Sequence, residues 1–110
     1  MSIEDNFAQL RKGLLEFAVL QVVSGSKVYA ADILSKLAKT PFVTGEGTLY
    51  PLLSRLKRDG LLDYDWVESE AGPPRKYYSL TDVGKSRLHD LETYWQELHH
   101  TLDTLGGTHA

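Results

Sequence analysis

The stretch from residue 47 to residue 84, "GTLYPLLSRLKRDGLLDYDWVESEAGPPRKYYSLTDVG", decides the fold, because its hydrophobic period changes partway along. Leu49, Leu52, Leu53 and Leu56 recur at helical spacing. Beyond Asp59-Gly60, Leu62, Tyr64 and Trp66 alternate with Asp63 and Asp65, the pattern of a half-buried strand. The segment 69–74, "SEAGPP", reads as a turn. "RKYYSL" at 75–80 reads as a second strand, with Tyr78 and Leu80 on one side and Tyr77 and Ser79 on the other. The helix is expected to begin near Gly47 or Thr48. That start places Pro51 in the first turn, where its missing N–H costs little. Thr81 is placed to cap a further helix, with Asp82 helping at its positive end.

Upstream, residues 5–24 carry Phe7, Leu10, Leu14, Leu15, Phe17, Ala18 and Val22 at the period of an amphipathic helix. Ser24-Gly25 reads as its stop, with Gly25 suited to a left-handed cap. Residues 30–39 predict a second helix with Ala30, Ile33, Leu34 and Leu37 inward, closed by Thr40-Pro41. Downstream, Val83, Leu88, Leu91, Trp95, Leu98, Leu102 and Leu105 mark a long last helix running to about Leu105. The order is three helices, strand, turn, strand, long helix. It predicts a mainly α (α+β) winged helix-turn-helix, with the third helix as the candidate recognition helix. The expected boundaries are a DNA-binding unit at 1–80, a C-terminal dimerisation helix at 81–105 and a flexible tail at 106–110.

Length suits one domain with one core. The chain has no cysteine, which excludes disulfides and thiolate metal sites. It shows no basic-then-apolar leader, and "GLLEFAVLQVV" is interrupted by Glu16 and Gln21. A soluble, cytoplasmic protein with no membrane partner is expected. Net charge is -3, yet residues 1–60 carry more cations than acids and residues 81–110 more acids than cations. Nucleic-acid affinity follows the local patch, and a dimer doubles it.

No nucleophile–base–acid grouping, glycine-rich phosphate loop or carboxylate cluster stands out, so no enzyme is expected. His99 and His100 are adjacent and point apart on a helix, and no i, i+4 pair of ligands occurs. No metal or cofactor is expected.

Several stretches invite function beside a plainer reading. On the third helix, Thr48, Tyr50, Ser54 and Arg55 surround the apolar stripe, and hydroxyls and guanidinium suit phosphates and base edges. A solvated face is the alternative, and for Lys57 and Arg58, near the far end, it is preferred. The acidic chain also places Arg75 and Lys76 beside a stiff Gly72-Pro73-Pro74 turn. They either touch DNA phosphate or serve as edge cations that discourage aggregation. Tyr78 is expected in the core. Trp95 either packs in the core or lines a flat pocket between two subunits. Either way, a stripe of leucines on so small a domain asks for a covering surface, from a second copy or from the chain's own fold.

Gly47-Thr48-Leu49-Tyr50-Pro51-Leu52-Leu53, Arg55-Leu56, Asp59-Gly60-Leu61, Gly72-Pro73-Pro74-Arg75-Lys76-Tyr77-Tyr78 and Leu80-Thr81, in this order and spacing, resemble the PadR family of bacterial transcriptional regulators. The resemblance covers about residues 11–105. It departs near Ala30 or Ala31, where the family often has a glycine. It implies a homodimeric transcription factor, usually a repressor, on a palindromic double-stranded DNA operator. Many members release DNA on binding planar aromatic or phenolic compounds or lipophilic cations. The single C-terminal helix matches the short subfamily. The DNA-binding residues expected are Thr44, Gly47, Thr48, Tyr50, Pro51, Ser54, Arg55, Arg75 and Lys76. The dimerisation or effector pocket is expected at Leu91, Trp95, Leu98 and Leu102. A winged-helix adaptor that binds protein is the rival reading, because fold does not fix function.

Overall fold

The computed structural model describes residues 7–107. Its elements are α1 (Ala8–Gly25), α2 (Ala30–Ala38), α3 (Glu46–Arg58), β1 (Leu62–Ser69), β2 (Gly72–Leu80) and α4 (Asp82–Gly106). This is the expected order of a winged helix-turn-helix with a long last helix. The expected helix start at residue 5 lies outside the described residues.

The core is built from one face of each element. Val19, Leu20 and Val23 of α1 meet Ile33 and Leu37 of α2, Leu49, Leu53 and Leu56 of α3, and Leu62 and Tyr78 of the hairpin. Seven of these larger side chains, from Val19 to Leu62, are essentially removed from water. Each contributes about 1.5–3 kcal/mol relative to exposure. Phe7 and Leu10 fall outside the core and are more than half exposed, so the first turns of α1 project beyond its body.

Four local expectations are corrected. Gly25 is the last residue of α1 and has no positive φ; the chain leaves the helix through extended Ser26. It must, because Val28 pairs with Tyr78 through two backbone hydrogen bonds of 3.2 and 2.7 Å, forming a one-residue third strand beside β2. Helix α3 starts at Glu46, earlier than expected, with the carboxylate at its positive end. Pro51 is therefore in the second turn and leaves the Gly47 carbonyl without its helical donor. The hairpin turn is Glu70-Ala71 alone. Gly72, Pro73 and Pro74 belong to β2, and the extra residue opposite Glu68 is absorbed as a bulge between Val67 and Ser69. Proline is tolerated there because the ladder is locally broken. Finally, α4 runs through Gly106 and is closed by Gly107 at φ 66. Gly106 and Gly107 are thus not part of the tail expected from 106, and residues 108–110 lie outside the described residues.

Other signals are met as read. Gly60 takes φ 80 and ends α3, with Leu61 N donating back to the Leu56 carbonyl at 2.9 Å. Thr81 accepts from Gly84 N at 2.9 Å and caps α4. Its hydroxyl also donates to the Gly60 carbonyl at 2.6 Å, fastening α4 to the end of α3. A Cβ on Gly84 would overlap the Leu61 carbonyl oxygen, so this approach requires glycine.

Candidate nucleic-acid interface

Helix α3 presents two faces by spacing. Leu49, Leu53 and Leu56 are buried. Gly47, Pro51, Ser54 and Arg58 recur every three or four residues on the opposite side, and all are exposed. Arg58, which the sequence reading left as a solvated end residue, thus shares the outward face with the candidate contacts. Gly47 has negative φ, and a Cβ there would meet nothing within 4 Å. Nothing within the described chain requires that glycine.

The remaining candidates on and before α3 divide by flank. Tyr50 and Ser54 turn toward the hairpin. With Tyr29, Ala30, Ala31, Trp66, Arg75, Lys76 and Tyr78 they line an open groove of about 550 Å³. Thr44 and Thr48 turn toward α1, where they line a second depression with Arg11, Lys12 and Phe42. Arg55 departs from expectation. Its Nη2 donates to Glu16 Oε1 of α1 at 3.1 Å, and its Nη1 lies 3.6 Å from Asp59 Oδ2. The guanidinium is engaged by carboxylates of its own chain rather than turned outward.

In the hairpin both cations lie over aromatic rings. Cross-strand register sets Lys76 opposite Trp66 and Tyr78 opposite Tyr64. Lys76 Nζ sits 4.6 Å from the Tyr64 centroid and 5.3 Å from that of Trp66. Arg75 reaches the other way and stacks on Tyr29, which itself lies 5.3 Å from the Tyr77 ring. Aromatic faces hold both cations by cation–π attraction without neutralising them. Among the described residues, Arg58, Arg75 and Lys76 pair with no carboxylate. On the far side of the hairpin Lys27 is paired, 2.8 Å from Asp65, and this hydrogen bond and charge raise its pKa. Tyr78 is buried as expected, and desolvation pushes its phenol upward.

Trp66 is 62% exposed. Alternation identified its face, but the hairpin outruns the core after Tyr64, so that face is bare at the tip. Tyr29 was missed altogether. Its role follows from the Val28 bridge, which no local pattern announces.

On α4, Trp95 faces a small apolar cleft of about 260 Å³ with Leu14, Phe17, Ala18, Gln21 and Phe42. Leu91 does not join it; it packs against the core and borders a separate depression beside Leu52 and Arg55. Trp95 and Leu98 are 44% and 40% exposed, and Leu102 and Leu105 are 66% and 77% exposed. No part of the described chain covers that stripe. Among the described residues no helix is long and apolar enough to cross a membrane. Nor does any group of three or more His, Cys, Asp or Glu there form a candidate metal site.

A helix-turn-helix joined to a two-stranded wing and a long last helix defines a winged-helix protein. The PadR-like transcriptional regulator family matches residues 19–90, and the chain belongs to that family: it is a PadR-family transcriptional regulator. It is 48% identical to a PadR-like transcription factor from Bacteroides fragilis, over 92% of this chain and 98% of that one, with a TM-score of 0.79. A PadR-like transcriptional regulator from Bacillus cereus is 36% identical over 88% of this chain and 95% of its own, at TM-score 0.79. A PadR family transcriptional regulator from Eggerthella lenta is 32% identical over 96% and 93% of the two chains, at TM-score 0.85.

Proposed function

We propose that this regulator binds a palindromic double-stranded DNA operator as a homodimer and acts as a repressor relieved by a planar aromatic ligand. The family supports DNA binding. The observation that carries the assignment to particular residues is the cationic, aromatic groove between α3 and the wing, whose Arg75 and Lys76 pair with no carboxylate among the described residues of a chain of net charge -3. In this reading the N-terminal half of α3 enters the major groove. Gly47 lets the DNA backbone approach closely, and Tyr50, Pro51 and Ser54 face the bases or sugars. Thr44 and Thr48 reach phosphate at the flank, and Arg75 and Lys76 meet the adjoining backbone.

The stripe Trp95–Leu98–Leu102 supports dimerisation through α4, since the described residues leave much of it exposed to water. Two-fold pairing sets the recognition helices about one helical turn apart, ~34–36 Å. The cleft beside Trp95 offers a flat apolar wall for an effector, and two copies facing across the axis would enlarge it.

Gel-shift titration with genomic fragments, repeated with candidate aromatic ligands, tests this reading. A near-palindromic fragment should bind better than random DNA, and an effective ligand should release it. Equal binding of all fragments contradicts the operator. Binding that no aromatic ligand alters contradicts the relief mechanism alone.

A further inference from the structure

Glu16 accepts from two guanidinium groups on two other helices. Oε1 takes Arg55 Nη2 of α3 at 3.1 Å, and Oε2 takes Arg87 Nη1 of α4 at 3.2 Å. One carboxylate of α1 therefore ties the candidate recognition helix to the candidate dimerisation helix. The Glu16 side chain is only 20% exposed, against 45% and 49% for its partners. A charge so far out of water needs both partners to stay satisfied.

The tie lies where direct packing is thin. Helix α3 packs chiefly on α2 and β1, while α1 packs on α4. Where α1, α3 and α4 meet lies a depression of about 350 Å³, lined mostly by α1 from Lys12 to Phe17, with Leu52 and Arg55 of α3 and Leu91 of α4 on its border. Glu16 spans it from the α1 side. The other fastening of these parts, Thr81 on the Gly60 carbonyl, is at the C-terminal end of α3. Leu49, Leu53 and Leu56 seat α3 in the core, Thr81 holds its C-terminal end, and Glu16–Arg55 braces it from α1; loss of the brace frees a small tilt of the helix rather than its seat.

We infer that Glu16 is a positioning residue that fixes the angle of α3 against α4, and thereby sets the half-site spacing the dimer accepts. This rests on the dimeric DNA-binding reading above. The lever is long enough. From its fastened C-terminal end, the 13-residue α3 reaches ~20 Å. A tilt of about 10° there moves its N-terminal turn by ~3 Å, close to the ~3.4 Å rise of one base pair. Arg55 thus contributes to recognition through the direction of its helix instead of through contact with a base.

The test uses the full chain and a set of duplexes. One carries a single half-site. The others carry two half-sites at the optimal spacing and at one base pair more or fewer. Two variants are compared with wild type by fluorescence anisotropy: Arg87→Gln, which cuts the α4 arm and leaves Arg55 paired, and Glu16→Gln. Circular dichroism checks that both are folded, and Arg87 is exposed enough for its variant to fold.

Wild type should prefer the optimal spacing. In both variants that preference should shrink by about two- to fivefold, the size one partly exposed ion pair can carry. Affinity for the single half-site should stay within about twofold for Arg87→Gln. The inference is overturned if both variants keep the wild-type spacing preference, or if they lose affinity equally for every duplex including the single half-site. It is also overturned if wild type binds with no spacing preference. If wild type binds no duplex above random DNA, the functional reading itself fails, which is a separate result.

Discussion

The Arg75 guanidinium carbon lies 4.8 Å from the centroid of the Tyr29 ring, so the wing and the start of α2 meet through a cation and an aromatic face. The stack limits the swing of a long side chain before any ligand arrives, which lowers the entropy lost on docking. If each protomer's Arg75 neutralises one phosphate, Arg75→Ala removes two contacts per dimer. The slope of log affinity on log salt should then flatten by roughly 1.8. Tyr29→Ala should weaken binding less and leave the slope near wild type, because the cation remains. Arg75→Ala curves that superimpose on wild type would make the wing a mere connector.

Two glycines should respond in opposite ways. Gly84→Ala forces a methyl group against the Leu61 carbonyl oxygen, where backbone must move. Overpacking of this kind costs about 1–3 kcal/mol, read as a lowered midpoint in urea denaturation. Gly47→Ala meets nothing in the chain and removes a poor helix former, so stability should rise by about 0.5–1 kcal/mol. Operator affinity should nonetheless fall at Gly47→Ala, where the close approach is made by DNA. A Gly47→Ala protein that binds as well as wild type would remove α3's N-terminal turn from the interface.

The leucine stripe of α4 predicts an assembly effect. Leu98→Lys with Leu102→Lys should shift sedimentation from dimer to monomer at micromolar concentration while helicity is largely kept. Both side chains are already exposed in the single chain, so the folded unit loses little. A wild type that sediments as a stable monomer would contradict dimerisation outright.

Alkaline pH should destabilise the fold through Tyr78. Burial raises its pKa above the usual 10.0, with smaller contributions from the Tyr64 and Tyr50 phenols. The folded state thus holds the phenolic proton more tightly than the unfolded state. The stabilisation is full below the unfolded value near 10 and is lost as pH rises through the higher folded value. Lys27, also raised, by Asp65, acts in the same direction. Tyr78→Phe should flatten the fall in melting temperature above pH 10, and an unchanged alkaline limb would contradict the assignment.

Sequence patterning located every element: α2, α3 and the hairpin through one-sided apolar spacing, and α1 through an apolar run spread round the helix, stopped near Ser24-Gly25. Leu49-Leu53-Leu56 and Leu62-Tyr64 are read directly from spacing, and Thr81 and Gly60 are read as local caps. What sequence could not reach depends on contacts between distant residues. The hairpin turn was drawn as six residues, since Gly72-Pro73-Pro74 looks like a turn locally. Its true two-residue form appears only when the Ser69–Gly72 pairing and the bulge are seen. Arg55 carries the right chemistry for DNA, but Glu16, far away in sequence, claims it. Tyr29 precedes a helix and reads as a connector; the Val28 bridge to Tyr78 brings it under Arg75. Trp95 reads from sequence as either core or pocket wall. It is half-exposed over an apolar cleft formed by Leu14, Phe17, Ala18 and Gln21 of α1 and by Phe42 from a loop, a junction of distant segments that no local period reveals.

The most direct measurement is a titration of the wild-type chain against a near-palindromic genomic fragment recovered by gel shift and against scrambled DNA of equal length, at several salt concentrations. A dimer reading bases through α3 and phosphates through Arg75 and Lys76 should bind the palindromic fragment roughly 10³-fold or more tighter than the scrambled one at physiological salt, and both affinities should fall steeply as salt rises. Equal affinity for the two fragments, or affinity that does not change with salt, would contradict the account.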